Sequence, residues 1–266
     1  VIKYKILIKP EEKELIKNSF FDLFYNVYKK NLDNKLWEHQ ILNSPYTCTP
    51  LFVAMDGNKV IGSALMILQK CLINEIKYNY FLFTTSAILK EYRSRGIYPE
   101  LLKLQKEYSK KNNIDFVFAF PNRLAYPVLK LFARFKDLKK FDLVRTTFDN
   151  IDFEKIENNL LIDKNFFKWR FEHKDYLFYE LNDKVIIYKE FNNCYDILAI
   201  YNVKDFPFSF NNTVLERNKK IIILNSYLKN ENLIEKMDVL NATYFPLNEN
   251  LDYSKLNVNL LMSDVF

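Results

Sequence analysis

The sequence predicts a mixed α/β fold: a mixed sheet with flanking helices, followed by a second, smaller α/β half. Three observations predict it. Apolar runs of strand length alternate with stretches at helical spacing along all 266 residues. Two apolar runs flank Asp56-Gly57, a strong hairpin signal. A strand, a helix and a second buried strand then follow between residues 77 and 120, which implies one parallel crossover. Hydrophobic residues make up 49% and aromatic residues 17%, enough for a sizeable core.

The first strand is expected at Lys3–Ile8. Pro10-Glu11-Glu12 then opens a helix, with proline and acids suited to a first turn. Its apolar positions Leu15, Phe20, Leu23, Phe24 and Val27 carry it to about Lys30. A second short helix covers 34–42 and stops near Asn43-Ser44-Pro45. The hairpin runs over 51–55 and 59–66. Another strand spans 77–89, and a helix follows Gly96 at once, carried by Leu101, Leu102 and Leu104 to Lys111. A buried strand is expected over 114–120, a helix from Pro121-Asn122 to about Phe135, and a strand over 143–148 that closes this unit.

A second unit begins near Asn150, so the expected division is 1–149 and 150–266. A short amphipathic helix lies over Phe166–Arg170, and strands follow at 177–181, 184–189 and 195–201. In both units a Trp-bearing helix, with Trp37 or Trp169, leads into a hairpin. This reads as a weak internal repeat, the alternative being two unrelated helix–hairpin units.

The net charge of +6 is scattered, often beside Asn and Glu, and forms no nucleic-acid stripe. A basic mouth for an anionic ligand fits the same charge. Cys48, Cys71 and Cys194 form no metal spacing, and His39 and His173 lie far apart, so no metal site is expected. The odd cysteine count and the Lys-interrupted start, unlike a signal peptide, point to the cytoplasm. No apolar run is long enough for a membrane span.

Only three glycines are present, Gly57, Gly62 and Gly96, so each is expected where the backbone requires it. Gly96 lies in Arg93-Ser94-Arg95-Gly96-Ile97-Tyr98, between a strand and a helix N-terminus. Such a loop turns several N–H groups toward one point, and the helix dipole adds partial positive charge there, which suits a pyrophosphate. Gly96 admits phosphates without a Cβ in the way, and Arg93 and Arg95 raise the local potential. By itself Arg-x-x-Gly describes an ordinary turn with exposed arginines better than a phosphate loop; the surrounding order of strands and helices singles out this one.

The stretch from Leu51 to Phe148 resembles the GNAT N-acetyltransferase superfamily, whose signature [Q/R]-x-x-G-x-[G/A] falls on Arg93, Gly96 and Tyr98. Tyr98 departs from the small residue, so its ring has to point away from the phosphates. Phe120-Pro121-Asn122 and Ala125-Tyr126-Pro127 are similar to a turn of a subgroup that carries a second, degenerate GNAT-like half and is linked to bacterial surface-sugar pathways. The resemblance implies acetyl-coenzyme A as acyl donor. It implies that the backbone at Ile88 and Leu89 pairs with the pantetheine arm, that the amides from Arg93 through Ser94, Arg95, Gly96 and Ile97 to Tyr98 hold the pyrophosphate, and that Asn122 contacts the thiol end.

Transfer from a thioester to an amine needs a neutral amine, a polarised carbonyl and a proton for the leaving thiolate. The tyrosine that many family members place seven residues after the asparagine is Leu129 here. Tyr126, on the same helical face, is the candidate acid, the alternative being a ring packed at the helix start. No base stands out. Glu75 lies between two strands where a substrate binds, or is an ordinary loop acid. His39, beside Glu38 on the early helix, takes a proton near neutral pH, or is a surface histidine. The expected activity is N-acetylation of a small-molecule amine, an amino sugar or sugar nucleotide, by direct attack without an acyl-enzyme. The alternatives are a non-catalytic module of the same fold and an aminoacyl or peptidoglycan-type transferase.

Overall fold

The computed structural model describes residues 1–47, 49–171, 175–206, 208–230 and 234–263, so Cys48 and His173 lie outside the described residues. The first half comprises β1 (Ile2–Leu7), α1 (Pro10–Glu14), α2 (Lys17–Tyr28), α3 (Asn34–Leu36) running into a π-helical turn (Trp37–Leu42), β2 (Leu51–Asp56), β3 (Lys59–Ile73), β4 (Ile76–Ile88), α4 (Ile97–Lys111), β5 (Phe116–Ala119), α5 (Ala125–Leu131) and β6 (Lys136–Thr147). The second half adds α6 (Lys164–Phe171), β7 (Leu177–Leu181), β8 (Lys184–Phe191), β9 (Cys194–Asn202), β10 (Lys220–Leu224), β11 (Glu235–Pro246) and α7 (Leu260–Ser263).

The first helix is broken where a single helix was expected. Lys13 on α1 turns inward and is fully buried, donating to the carbonyls of Ile41 at 2.8 Å and Thr49 at 2.6 Å. Two carbonyl partners offset the cost of burying its charge. Leu15 is left exposed at the break, and Ile16, at φ −109° and ψ 0°, starts α2. The helix from Asn122 is shorter than expected. In place of a glycine, Arg134 takes the left-handed conformation (φ 55°), and the Phe135 N–H closes onto the Leu129 carbonyl at 3.1 Å.

Among the described residues the eleven strands form one sheet, in the order β1-β2-β3-β4-β5-β11-β6-β10-β9-β8-β7. The meander β2-β3-β4 is antiparallel and β5 joins β4 in parallel; the meander β7-β8-β9 is antiparallel and β10 joins β9 in parallel. The crossover from β4 to β5 contains α4, whereas between β9 and β10 the described residues hold only a 3₁₀ turn, Val203–Asp205.

The closing strand corrects the expected order. A strand over 143–148 was expected to complete the first unit, but β6 begins at Lys136 and lies beside β10. The strand next to β5 is β11, from the far end of the chain, with Thr243 opposite Ala119 and Pro246 opposite Phe116. Each half therefore gives its last strand to the other, and the two exchanged strands pair with each other at the centre. Charged residues interrupt both, as in Lys136-Asp137-Leu138-Lys139-Lys140, so neither shows the apolar run that marks a central strand. The halves are also joined along the outer part of β3. There Leu72 N–H donates to Asn159, Leu161 N–H donates to Lys70, and Lys70 pairs with Asp163 at 3.2 Å.

Gly62 permits a close approach that the sequence did not explain. A Cβ there would lie 2.7 Å from Ile88 Cδ1 and 3.0 Å from Ile97 Cγ2, the residues that end β4 and begin α4. Gly62→Val is expected to destabilise the protein by about 1–3 kcal/mol through overpacking. A thermal melt should show a fall in Tm of several degrees, and an unchanged Tm would mean that β3 and α4 separate freely.

Candidate active site

The parallel pairing of β4 with β5 ends at Phe83 opposite Ala119, yet β4 continues to Ile88. A wedge-shaped cleft opens beyond that point. It has a volume of about 180 Å³ and is walled by Thr84, Thr85 and Ser86 on one side and by Phe120, Pro121 and Asn122 on the other. Tyr28 closes it from α2 and Tyr98 from α4.

A bulge in β4 shapes this wall. Ser63 faces Ala87 while Leu65 faces Thr84, so β4 holds one more residue than β3 between those pairs. Thr85 takes the strained φ of 40° there. The bulge leaves backbone groups without partners on β3. Beyond it Leu89 N–H donates to the Ile61 carbonyl at 3.0 Å, which places Leu89 in a hydrogen-bonded pair and turns the backbone of Ile88 away from β3 toward the cleft. The Ile88 carbonyl accepts from Arg93 Nε at 3.2 Å, and the Ser86 carbonyl accepts from the Tyr28 hydroxyl at 2.9 Å. Thus the free edge of β4 offers two carbonyls to the cleft, each held by a side-chain donor.

The loop after β4 turns through a 3₁₀ element, Lys90–Tyr92, and two left-handed residues, Ser94 (φ 62°) and Gly96 (φ 74°). Gly96 is the N-cap of α4, and nothing lies within 4 Å of where its Cβ would be. Its glycine is required by the backbone angle and not by crowding. Residues 93–96 are exposed, so the first amides of this 15-residue helix face open space with the dipole behind them. Arg95 stacks on Tyr92 at 4.9 Å, and Tyr92 is held by Asp56 at 2.8 Å. Ile97 and Leu89 are buried and anchor the loop from below.

Tyr98 follows Ile97. Its ring lines the cleft, and its hydroxyl shares a hydrogen bond with the Ser86 side chain; burial raises its pKa. Asn122 sits at the end of β5 with its Oδ1 accepting from the N–H groups of Leu124 at 3.0 Å and Ala125 at 2.9 Å, so it both lines the cleft and starts α5. Leu129, at the family's tyrosine position, is buried in the cleft wall and carries no proton to give.

Of the predicted donor-site residues, Tyr98 and Asn122 line the cleft, the Ile88 carbonyl bonds Arg93, and Leu89 and Ile97 are buried beneath the loop. The three acid–base candidates lie elsewhere. Tyr126 borders a neighbouring hollow of about 720 Å³, and its hydroxyl donates to Asp137 at 2.8 Å, which raises its pKa. His39 stacks on Trp169 at 5.0 Å, and its backbone carbonyl accepts from Trp169 Nε1 at 2.9 Å. Glu75 is exposed in the β3–β4 turn, about 30 Å along β4 from the bulge at roughly 3.3 Å per residue. Cys71 is buried outside the cleft, and burial pushes its thiol up to about 12, so it offers no nucleophile. Sequence reasoning missed Tyr28 because the cleft is built from β4, α2 and β5, elements far apart along the chain.

Residues 10–132 match the family model of an acetyltransferase (GNAT) domain. No curated protein matches the sequence. Among solved structures, a probable N-acyltransferase of unknown function from Enterococcus faecalis V583 is similar with a TM-score of 0.65 at 10% identity, over 93% of this chain and 73% of its own. A GCN5-related N-acetyltransferase from Anabaena variabilis ATCC 29413 follows with 0.62 at 10% identity, over 91% and 72%. A putative acetyltransferase from Pyrococcus horikoshii covers 98% of this chain and 92% of its own, with 0.55 at 10% identity. At such identities these likenesses concern the fold, and they extend it across both halves. The chain carries an acetyltransferase (GNAT) domain over residues 10–132, and it is an acyltransferase enzyme.

Proposed function

We propose that this enzyme acetylates a primary amine with acetyl-coenzyme A by direct transfer, and that the amine belongs to an amino sugar or sugar nucleotide of a bacterial surface-glycan pathway. The observation that carries the reading is the free edge of β4 beside the splayed β5, ending in a loop of exposed amides at the α4 N-terminus. A strand-like amide arm fits that edge, and a pyrophosphate fits that loop. The bound donor supplies an activated acyl thioester. The backbone from Arg93 to Tyr98 holds its phosphates, and the Ile88 and Ser86 carbonyls accept from its amides.

A separate hollow of about 1040 Å³ lies between α3 and α6, sharing no lining residue with the cleft, with Glu38 and His39 on its wall and charges of both signs from Asp33, Lys35 and Lys168. Such a mixture suits an amine that also carries phosphate. The second half reads as a degenerate copy of the first, with division near residue 150. The recurrence of an antiparallel meander followed by a parallel strand supports the copy, and the crossover without an α-helix supports loss of its cofactor site. Buried free Cys71 and Cys194 suit a reducing compartment such as the cytoplasm. Among the described residues no helix is long and apolar enough to cross a membrane.

Calorimetric titration with acetyl-coenzyme A tests the donor: micromolar affinity is expected, and no heat would sink the reading. A panel of amino sugars and their nucleotides, followed by thiol release, then tests the acceptor. Leu129 in the cleft favours a second reading, a binding module that keeps the donor site without turnover; tight binding with no amine acetylated would select it.

A further inference from the structure

Two phenolic side chains, one from α2 and one from α4, line the cleft and meet at one residue. Tyr28, the last residue of α2, places its hydroxyl 2.9 Å from the Ser86 carbonyl. Tyr98, on the first turn of α4, bonds the Ser86 hydroxyl. The following residue Lys29 takes the left-handed conformation (φ 56°) and ends α2 there. Tyr28 also packs on Phe24 at 4.7 Å between centroids, which fixes the ring. The residue as a whole is 37% exposed, and it lines the cleft with its hydroxyl held against β4.

We propose that Tyr28 is the side chain that donates a hydrogen bond to the acyl carbonyl of the bound donor, the role for which neither Leu129 nor Tyr126 is placed. The proposal rests on the acyl-coenzyme A reading of the cleft. In the free protein the Tyr28 hydroxyl satisfies the Ser86 carbonyl on the open β4 edge. When a ligand amide takes that carbonyl in strand fashion, the hydroxyl is released within the cleft to donate to the carbonyl next to it. In the transfer, the lone pair of the amine nitrogen forms the C–N bond, the C–S bond breaks, and its electron pair leaves on sulfur. The amine proton passes to water, and water protonates the thiolate. Tyr28 keeps its own proton throughout.

The energetics favour donation over proton transfer. Burial and the neighbouring Tyr98 push the Tyr28 phenol up to about 12. A thiol ionises near 8.5, so full transfer from such a phenol to a thiolate is uphill by roughly three pKa units. A hydrogen bond that strengthens as charge builds on the oxygen has no such cost, and loss of one such donor slows acyl transfer about 10²–10³-fold.

The test compares wild type, Tyr28→Phe and Tyr98→Phe by calorimetry with free coenzyme A and with acetyl-coenzyme A, and by thiol release from acetyl-coenzyme A to water, which needs no acceptor. Each variant removes one hydroxyl, and a thermal melt confirms the fold. The expected result is a wild type that binds acetyl-coenzyme A about fivefold more tightly than coenzyme A, as one hydrogen bond of about 1 kcal/mol requires. Tyr28→Phe should lose that preference, bind free coenzyme A as before and release thiol about 10²-fold more slowly. Retained preference with a rate within twofold would overturn the proposal. So would the same losses in Tyr98→Phe alone, which would assign the role to Tyr98. A wild type that binds neither ligand would sink the donor reading itself and this proposal with it, whereas binding with an unaltered Tyr28→Phe variant would sink the proposal only.

Discussion

A chain ended at Asn150 is expected to lose both its cooperative fold and its affinity for acetyl-coenzyme A, although it retains the whole matched domain. The reason is the exchange of strands. In such a fragment β5 loses β11, which pairs with it from Thr243 to Pro246, and β6 loses both of its neighbours, β11 and β10. The Asp115 carbonyl loses the Leu247 and Asn248 amides, at 3.1 and 2.7 Å, and the Tyr253 hydroxyl. Asn248 also holds the Asp115 side chain at 2.9 Å, and Asp115 in turn bonds Asn79 of β4 at 2.9 Å. Phe116 and Tyr80, stacked at 4.9 Å across β5 and β4, would lose the cover of Tyr253. An exposed, apolar β5 edge is an aggregation template. Because β5 forms one wall of the cleft, the donor site should go with it. Circular dichroism with a melt, and calorimetry on whatever stays in solution, check this. A fragment of 1–150 that melts cooperatively and binds acetyl-coenzyme A would overturn it.

The second large effect is expected at Gly96. Gly96→Glu should weaken acetyl-coenzyme A binding at least 10²-fold while the fold loses about 1–2 kcal/mol. The space around Gly96 is empty, so the new side chain meets no protein atom. The left-handed backbone costs a residue with a Cβ about 1–2 kcal/mol. The larger effect is electrostatic: a carboxylate about 5 Å from two phosphate charges, at an intermediate dielectric, opposes binding by about 3 kcal/mol. Gly96→Ala separates the two contributions, since it carries the backbone strain without the charge, and should reduce affinity no more than about tenfold. Equal affinity in Gly96→Glu and wild type would remove the loop from the donor site.

The legible parts of this protein were local. The hairpin about Asp56-Gly57, the strand and helix on either side of Gly96, the three strands from 177 to 201 and the Trp169 helix each follow from apolar period, turn chemistry and a scarce glycine, and the structure places them within a few residues of expectation. The turn at 93–96 was legible for the same reason, as a short stretch of backbone between two periodic elements, and its phosphate role is a proposal. Only the 143–147 end of β6 was legible; its charged start from Lys136 and all of β11 were not, because a strand interrupted by charges at the centre of a sheet is sheltered by partners that periodicity does not name.

Along the chain, then, residue order determined which segments are strands and helices, and where a helix N-terminus meets a basic, glycine-bearing turn. Tertiary structure alone decided that β11 completes the first half, that β4 and β5 part after Phe83 and Ala119, and that Tyr28 and Tyr98 meet at Ser86 while Tyr126 turns to Asp137. Backbone preference and side-chain period act over a few residues, whereas strand order and the wedge of a cleft depend on which distant edges pair, and that is chosen by packing across the whole sheet.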